Sequence, residues 1–169
     1  HALVQDAAYD SLLKQKRRRL HAAVADALES HFPALVGAEP ETVAYHLSQA
    51  GEDARASRYW QVAGTDAASR SAHVEACEHL AKAVALAADD LGDGEALELH
   101  MAFAGSLRVL GRSQDTLQAL AQAQHHAHAP ADKARVHHLR GNTYFVMGET
   151  DRNVTEQRIA IENARAAGS

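Results

Sequence analysis

A chain of 169 residues suits one ordinary domain or a short array of stacked repeats. Apolar residues supply 46% and aromatics only 5%, with alanine dominating the apolar share, which favours closely packed helices over sandwiches. The net charge of −5 argues against general nucleic-acid binding, the single Cys77 excludes an internal disulfide and fits a reducing, cytoplasmic setting, and no apolar run is long enough for a membrane span or signal peptide.

Opening on His1 in mid-helix pattern, the chain is expected to be a piece of a longer polypeptide. Residues 2–13 place Val4, Ala8 and Leu12 on one helical face, with Tyr9 and Leu13 beside it. Residues 14–32 continue as a second pattern, with Leu20, Val24, Ala27, Leu28 and Phe32 at helical spacing, and no strong stop signal separates the two. Pro33 ends that pattern and residues 36–39 read as a loop. Pro40 with Glu41 starts the next helix: the missing N–H costs nothing in a first turn, and the carboxylate meets the positive end of the dipole. Val43, Ala44 and Leu47 lead to Gly51, after which Ala56, Trp60 and Ala63 mark a helix running to about Ser69. The next spans about residues 73–89. Residues 95–110 follow with Phe103, Ala104 and Leu107, closed by Gly111. Ser113 is the expected N-cap of a helix carrying Leu117, Leu120 and Ala123. Residues 131–147 carry Gly141 and Tyr144 and close at Gly148, and residues 151–166 put Val154, Ala160 and Ile161 on one face.

The stretch from Trp60 to Ala83 carries the packing logic. Trp60, Gly64 and Ala67 share one helical face, and Ala76, Leu80 and Ala83 share another across the corner Ser71-Ala72-His73. Small residues let the two backbones approach while Trp60 and Leu80 fill the space beside them. Such a hairpin has too little core to stand alone. Glycines at 51, 111 and 148 each fall where one helix gives way to the next, suited to the left-handed conformation that closes a helix. A loose period in the mid-thirties to forty is the signature of a helical solenoid, and about nine helices are expected, eight if the first two are continuous.

These residues resemble a tetratricopeptide repeat. Trp60, Gly64, Ala67, Ala76, Leu80 and Ala83 follow its motif; Gly141, Tyr144, Gly148 and Ala160 are similar to a second copy; Ala104, Leu107, Gly111, Leu120 and Ala123 are similar to a third. Leu80 departs from the commoner aromatic, Thr116 and Asn153 stand where alanine is usual, and the closing proline is absent. The opening, HALVQDAAYDSLLKQKRRRLHAAVADALE, resembles the segment after the ATPase module in bacterial AAA/STAND signalling proteins, the adenylate/guanylate-cyclase-like and LuxR-type regulators. His1, Leu3, Val4, Asp6 and Tyr9 occupy the matching places. The likeness covers roughly residues 1–90, and the remainder resembles generic repeats. It implies an all-α, right-handed α-solenoid of antiparallel helix pairs. Residues 1–38 would form a helical linker or cap behind an ATPase module, and residues 39–169 the repeats. ATP and Mg are implied for the parent alone, since the chain has no Gly-x-x-x-x-Gly-Lys-Ser/Thr loop.

Three clusters invite chemistry. Lys14, Lys16, Arg17, Arg18 and Arg19 give the first twenty residues a charge of +3 against −8 for the rest. With no interleaved aromatic for base stacking, a solvated or packed helix face is preferred over a phosphate or nucleic-acid contact. His125, His126 and His128, with His137 and His138, are the metal candidates, but adjacent histidines on a helix point about 100° apart, so a polar helix end and loop before Pro130 is preferred and no metal is expected. Cys77 with His73 and His79 suggests a nucleophile and base, but its apolar neighbours favour a small core filler. The expectation is a non-catalytic interaction or regulatory arm that takes a protein or peptide on a concave helical surface and contacts the ATPase module. It is expected to hold no cofactor and touch no membrane. The alternative is a structural scaffold or oligomerisation spacer.

Overall fold

The computed structural model describes residues 14–87 and 91–168. Among these, nine helices and no strand are found: α1 (Lys14–His31), α2 (Pro33–Ala38), α3 (Pro40–Ala50), α4 (Asp53–Ser69), α5 (His73–Leu86), α6 (Asp93–Val109), α7 (Ser113–His126), α8 (Pro130–Val146) and α9 (Thr150–Ala167). No described helix is long and apolar enough to cross a membrane. The number matches the sequence expectation by compensation. Residues 2–13 lie outside the described residues, whereas the expected loop over residues 36–39 is largely helical, as part of α2. Pro33 occupies the first turn of α2, where its missing N–H breaks no bond, so one proline both stops α1 and starts α2.

Helices pack chiefly on their neighbours in sequence. The broadest contacts join α4 to α5, α6 to α7 and α8 to α9, with narrower ones from α5 to α6 and from α7 to α8. Helix α1 lies mainly on α3. From α4 onward, helices two apart meet only lightly, α4 with α6 and α6 with α8.

From the α4–α5 junction onward, two kinds of junction alternate. Between α4 and α5, Ala72 N–H donates to the Ala67 carbonyl at 2.9 Å and Ser71 N–H to that of Ala68 at 2.9 Å. The same pair of bonds recurs between α6 and α7 (Arg112 to Leu107, Gly111 to Arg108) and between α8 and α9 (Glu149 to Tyr144, Gly148 to Phe145). This double closure satisfies the last carbonyls of a helix and needs one residue in the left-handed region. Gly111 and Gly148 supply it at φ 71° and 77°, and Ser71 does so at φ 63° without being glycine. Gly51 closes α3 in the same way at φ 79°. By contrast, the residues flanking the α5–α6 and α7–α8 connections are extended, with ψ of 120° at Ala87, 147° at Gly92 and 146° at Ala129.

The three hairpins share a register. Helices α4, α6 and α8 are 17 residues each, and corresponding helix starts are offset by 40 and then 37 residues in both halves of the pair. Gly64, Ala104 and Gly141 are therefore equivalent, as are Leu80, Leu120 and Gln157, and Ala83, Ala123 and Ala160. All but Gln157 are buried. A Cβ on Gly64 would stand 2.5 Å from Leu80 Cγ, which shows how closely α4 and α5 approach. The departures from alanine are accommodated by hydrogen bonds: Thr116 Oγ1 donates to the Arg112 carbonyl at 2.9 Å, and Asn153 Nδ2 to that of Gly141 at 3.0 Å.

Two apolar clusters result. One gathers Val43, Leu47, Trp60, Leu80 and Leu99; the other gathers Cys77, Leu97, Leu107, Leu120 and Val136, and Phe103 packs on both. Helix α5 contributes Leu80 to the first and Cys77 to the second, and α6 contributes to both, so the clusters interlock across the α5–α6 contact.

Several sequence expectations shift. In α1 the buried positions are His21 and Ala25; of the expected apolar spacing Leu28 packs against the core, while Leu20, Val24 and the following Phe32 are 49%, 40% and 55% exposed, so most of that spacing lies beside the face that meets α3. In α9, Ala160 is buried but Val154 and Ile161 are exposed, since the inward face is completed by Asn153, Glu156 and Gln157. Helix α5 ends at Leu86, short of the expected residue 89; residues 88–90 lie outside those described. Ser113 is the first residue of α7 rather than its cap; Arg112 holds the cap position with no side-chain bond to the helix.

Candidate functional site

A concavity lies where α5, α6 and α7 meet. Two adjoining troughs, of about 260 and 370 Å³, share Val84, His100 and Gln122 as common walls. Their apolar lining includes Leu99 and Ala96, both buried, and Phe103. Charge on the rim is largely compensated: Arg112 Nε donates to Asp115 Oδ2 at 2.7 Å. Gln118 and Gln122 stand one helical turn apart on α7 and both face the concavity. Neither amide, nor either ring nitrogen of His100, makes a hydrogen bond to another described residue. Burial pushes the His100 pKa down and His126 lowers it further, so His100 is a neutral imidazole at pH 7, with one N–H to donate and one nitrogen to accept. Its ring stacks on that of His126, with centroids 6.1 Å apart and planes 7° from parallel. A trough with apolar walls and three convergent polar groups that lack hydrogen-bond partners has the make-up of a binding site.

The histidines singled out from the sequence separate into different contacts. His126 Nδ1 and His128 Nε2 each lie 3.0 Å from a different oxygen of Asp93, whose carboxyl is held below the usual range, first by the His126 bond. His125 is exposed. His137 Nδ1 meets Glu156 Oε2 at 2.7 Å, and His138 Nδ1 meets Gln157 Oε1 at 3.1 Å, both across the α8–α9 contact. Among the described residues no three such side chains form a metal-ligand set.

The basic run does not present one face. Lys14, Lys16, Arg18 and Arg19 are exposed and Arg17 is half-buried. The Arg18 guanidinium lies over Gly51, at the carbonyl end of α3, where a cation complements the dipole. Cys77 is 6% exposed, and burial pushes its thiol pKa up, away from the thiolate a nucleophile needs. Neither His73 Nδ1 nor His79 Nδ1 has a hydrogen-bond partner among the described residues.

Of the repeat residues, Trp60 is 6% exposed and is gripped from several sides. Its Nε1 donates to Ser48 Oγ at 3.0 Å, its ring stacks on His79 with centroids 5.1 Å apart, and Lys82 Nζ lies 4.2 Å above it. Gly64, Ala67, Ala76, Leu80, Ala83, Gly141 and Ala160 are buried, Tyr144 is half-buried beneath Arg152, and Gly148 is an exposed junction residue. The sequence reading did not single out His100, Gln118 or Gln122. The signal was available, because His100 stands 40 residues after Trp60, the same offset that relates the helix starts. Comparison with protein-family models, with curated proteins and with solved structures finds no match to the chain.

Proposed function

We propose that the chain is a non-catalytic protein-interaction arm, a right-handed α-solenoid of antiparallel, tetratricopeptide-like helix pairs that regulates a larger ATP-dependent signalling protein. The observation that carries this reading is the alternation of junctions in a common register, with broad contacts inside each pair and narrower ones between pairs. Such an arrangement grows by addition of units and leaves elongated surfaces between helices, on which a peptide can lie. The trough at His100 is such a surface. The resemblance of residues 1–38 to a segment following an ATPase module supports the regulatory part, with the chain acting on that module from outside its active site.

The parent polypeptide provides the test. Removal of residues 39–169 from a chain that retains the module ahead of His1 is expected to alter ATP turnover or its response to a partner. Unchanged turnover and response, with only the oligomeric state altered in light scattering, would make the region a spacer.

A further inference from the structure

The register of the hairpins gives the trough a counterpart inside the same molecule. With an offset of 40 residues, His100 of α6 is equivalent to Trp60 of α4, while Ala119 and Gln122 of α7 are equivalent to His79 and Lys82 of α5. In the first hairpin these positions form a filled slot: the Trp60 indole stacks on His79 at 25° between planes, with Lys82 Nζ 4.2 Å from its centroid. In the second hairpin the indole is replaced by an imidazole, the stacking imidazole by a methyl group and the ammonium by an amide. All three replacements, His100, Ala119 and Gln122, line the open troughs. The third hairpin does not reproduce the vacancy, because His137, the next equivalent of Trp60, is bonded to Glu156 at 2.7 Å. The slot is therefore open in one hairpin and closed by the chain itself in the other two.

We infer that the slot around His100 receives an aromatic side chain from an uncharged, extended peptide segment of a protein partner. The chain's own indole shows what shape this position of the hairpin accommodates, and Val84, Leu99 and Phe103 provide apolar walls. Charge decides against an acidic or basic anchor, because Arg112 and Asp115 neutralise each other on the rim. The unpartnered amides of Gln118 and Gln122 can each donate to a carbonyl and accept from an N–H. One helical turn separates them by about 5–6 Å, close to the roughly 7 Å between like-facing groups of an extended chain. This deepens the interaction-arm reading and rests on it.

N-acetyl-L-tryptophanamide, an uncharged indole flanked by two amides, is the direct probe, titrated into the 169-residue chain while backbone and side-chain amide resonances are followed by NMR. Binding near 0.1 mM is expected, a typical affinity per atom for a ligand of this size, with shifts concentrated on Val84, Phe103 and the Gln118 and Gln122 amides. Replacing His100→Trp is expected to fill the slot from within and remove binding. The double replacement of Gln118→Ala and Gln122→Ala is expected to weaken it about 30-fold, the value of two ordinary hydrogen bonds, while Gln114→Ala on the same helix leaves it unchanged. Equal binding by N-acetyl-L-leucinamide, or undiminished binding in a folded His100→Trp variant, would overturn the aromatic slot. Indole alone binding as tightly as the amide would overturn the peptide class. Shifts confined to other helices would overturn the location yet leave the interaction-arm reading standing, since that reading is tested on the parent's ATP turnover.

Discussion

Trp60 shows most clearly how one residue joins several elements. It sits on α4, hydrogen-bonds to Ser48 on α3 and stacks on His79 of α5, so removing its side chain loosens two contacts at once. Trp60→Ala is expected to cost about 3–5 kcal/mol in urea melting; a loss under about 1 kcal/mol would contradict its place between α3 and α5. The paired glycines give a sharper contrast. At Gly64 an added Cβ meets Leu80 Cγ at 2.5 Å and the Ala76 carbonyl at 3.2 Å, with backbone behind it. At Gly141 the nearest atom is the flexible amide end of Gln157, at 2.7 Å. Gly64→Ala should therefore destabilise by about 1–3 kcal/mol. Gly141→Ala should change stability by under about 1 kcal/mol, because the amide can swing aside and alanine favours the helix. Equal effects in thermal melts would contradict the different packing of the two hairpins.

At the scale of elements, the α1–α3 contact carries a titratable joint. His21 Nδ1 and His46 Nδ1 lie 2.8 Å apart, with Tyr45 edge-on to both rings, so at least one ring must be neutral to accept the bond. Burial lowers both pKa values, and His21 lowers that of His46 further. The unfolded chain, with histidines near pH 6.5, takes up these protons first as pH falls. The contribution of the pair is therefore fully present above about pH 6.5 and is lost as pH drops below it toward the lowered folded values. Urea midpoints should fall between pH 7.5 and 5.5, and His46→Gln should reduce that fall; an equal fall in the variant would show that other groups cause it. None of this was legible in α1, where the spacing of Leu20, Val24 and Phe32 points away from α3 and a histidine takes the buried place. Periodicity reports that a face is apolar, but not which face a neighbour covers. The Trp60–Ala83 hairpin was legible because its small residues and its two large ones fall on facing surfaces. Ser71 was not, since only the neighbouring hydrogen bonds reveal a serine doing the work glycine does at 111 and 148.

Across the whole molecule, contacts between sequence neighbours set a gradient of stability. Leu80 and Leu120 are fully buried at the centre of the first two hairpins, whereas the equivalent Gln157 ties α9 to α8 through Asn142 and the His138 carbonyl. Helix α9 has Ala160 as its one buried residue and otherwise holds to α8 by polar pairs such as His137–Glu156. Polar pairs contribute less net stability than apolar burial of similar extent, and a helix joined to one neighbour can open without unfolding the rest. The glycines at 51, 111 and 148 marked helix ends in the sequence, but the polar character of the α8–α9 contact depends on pairings across those two helices. Native-state hydrogen exchange tests this neighbour-coupled array most directly. Amides of α4 to α7 should exchange most slowly, through global unfolding, and those of α9 markedly faster through a partial opening; one uniform exchange free energy across α4 to α9 would contradict it.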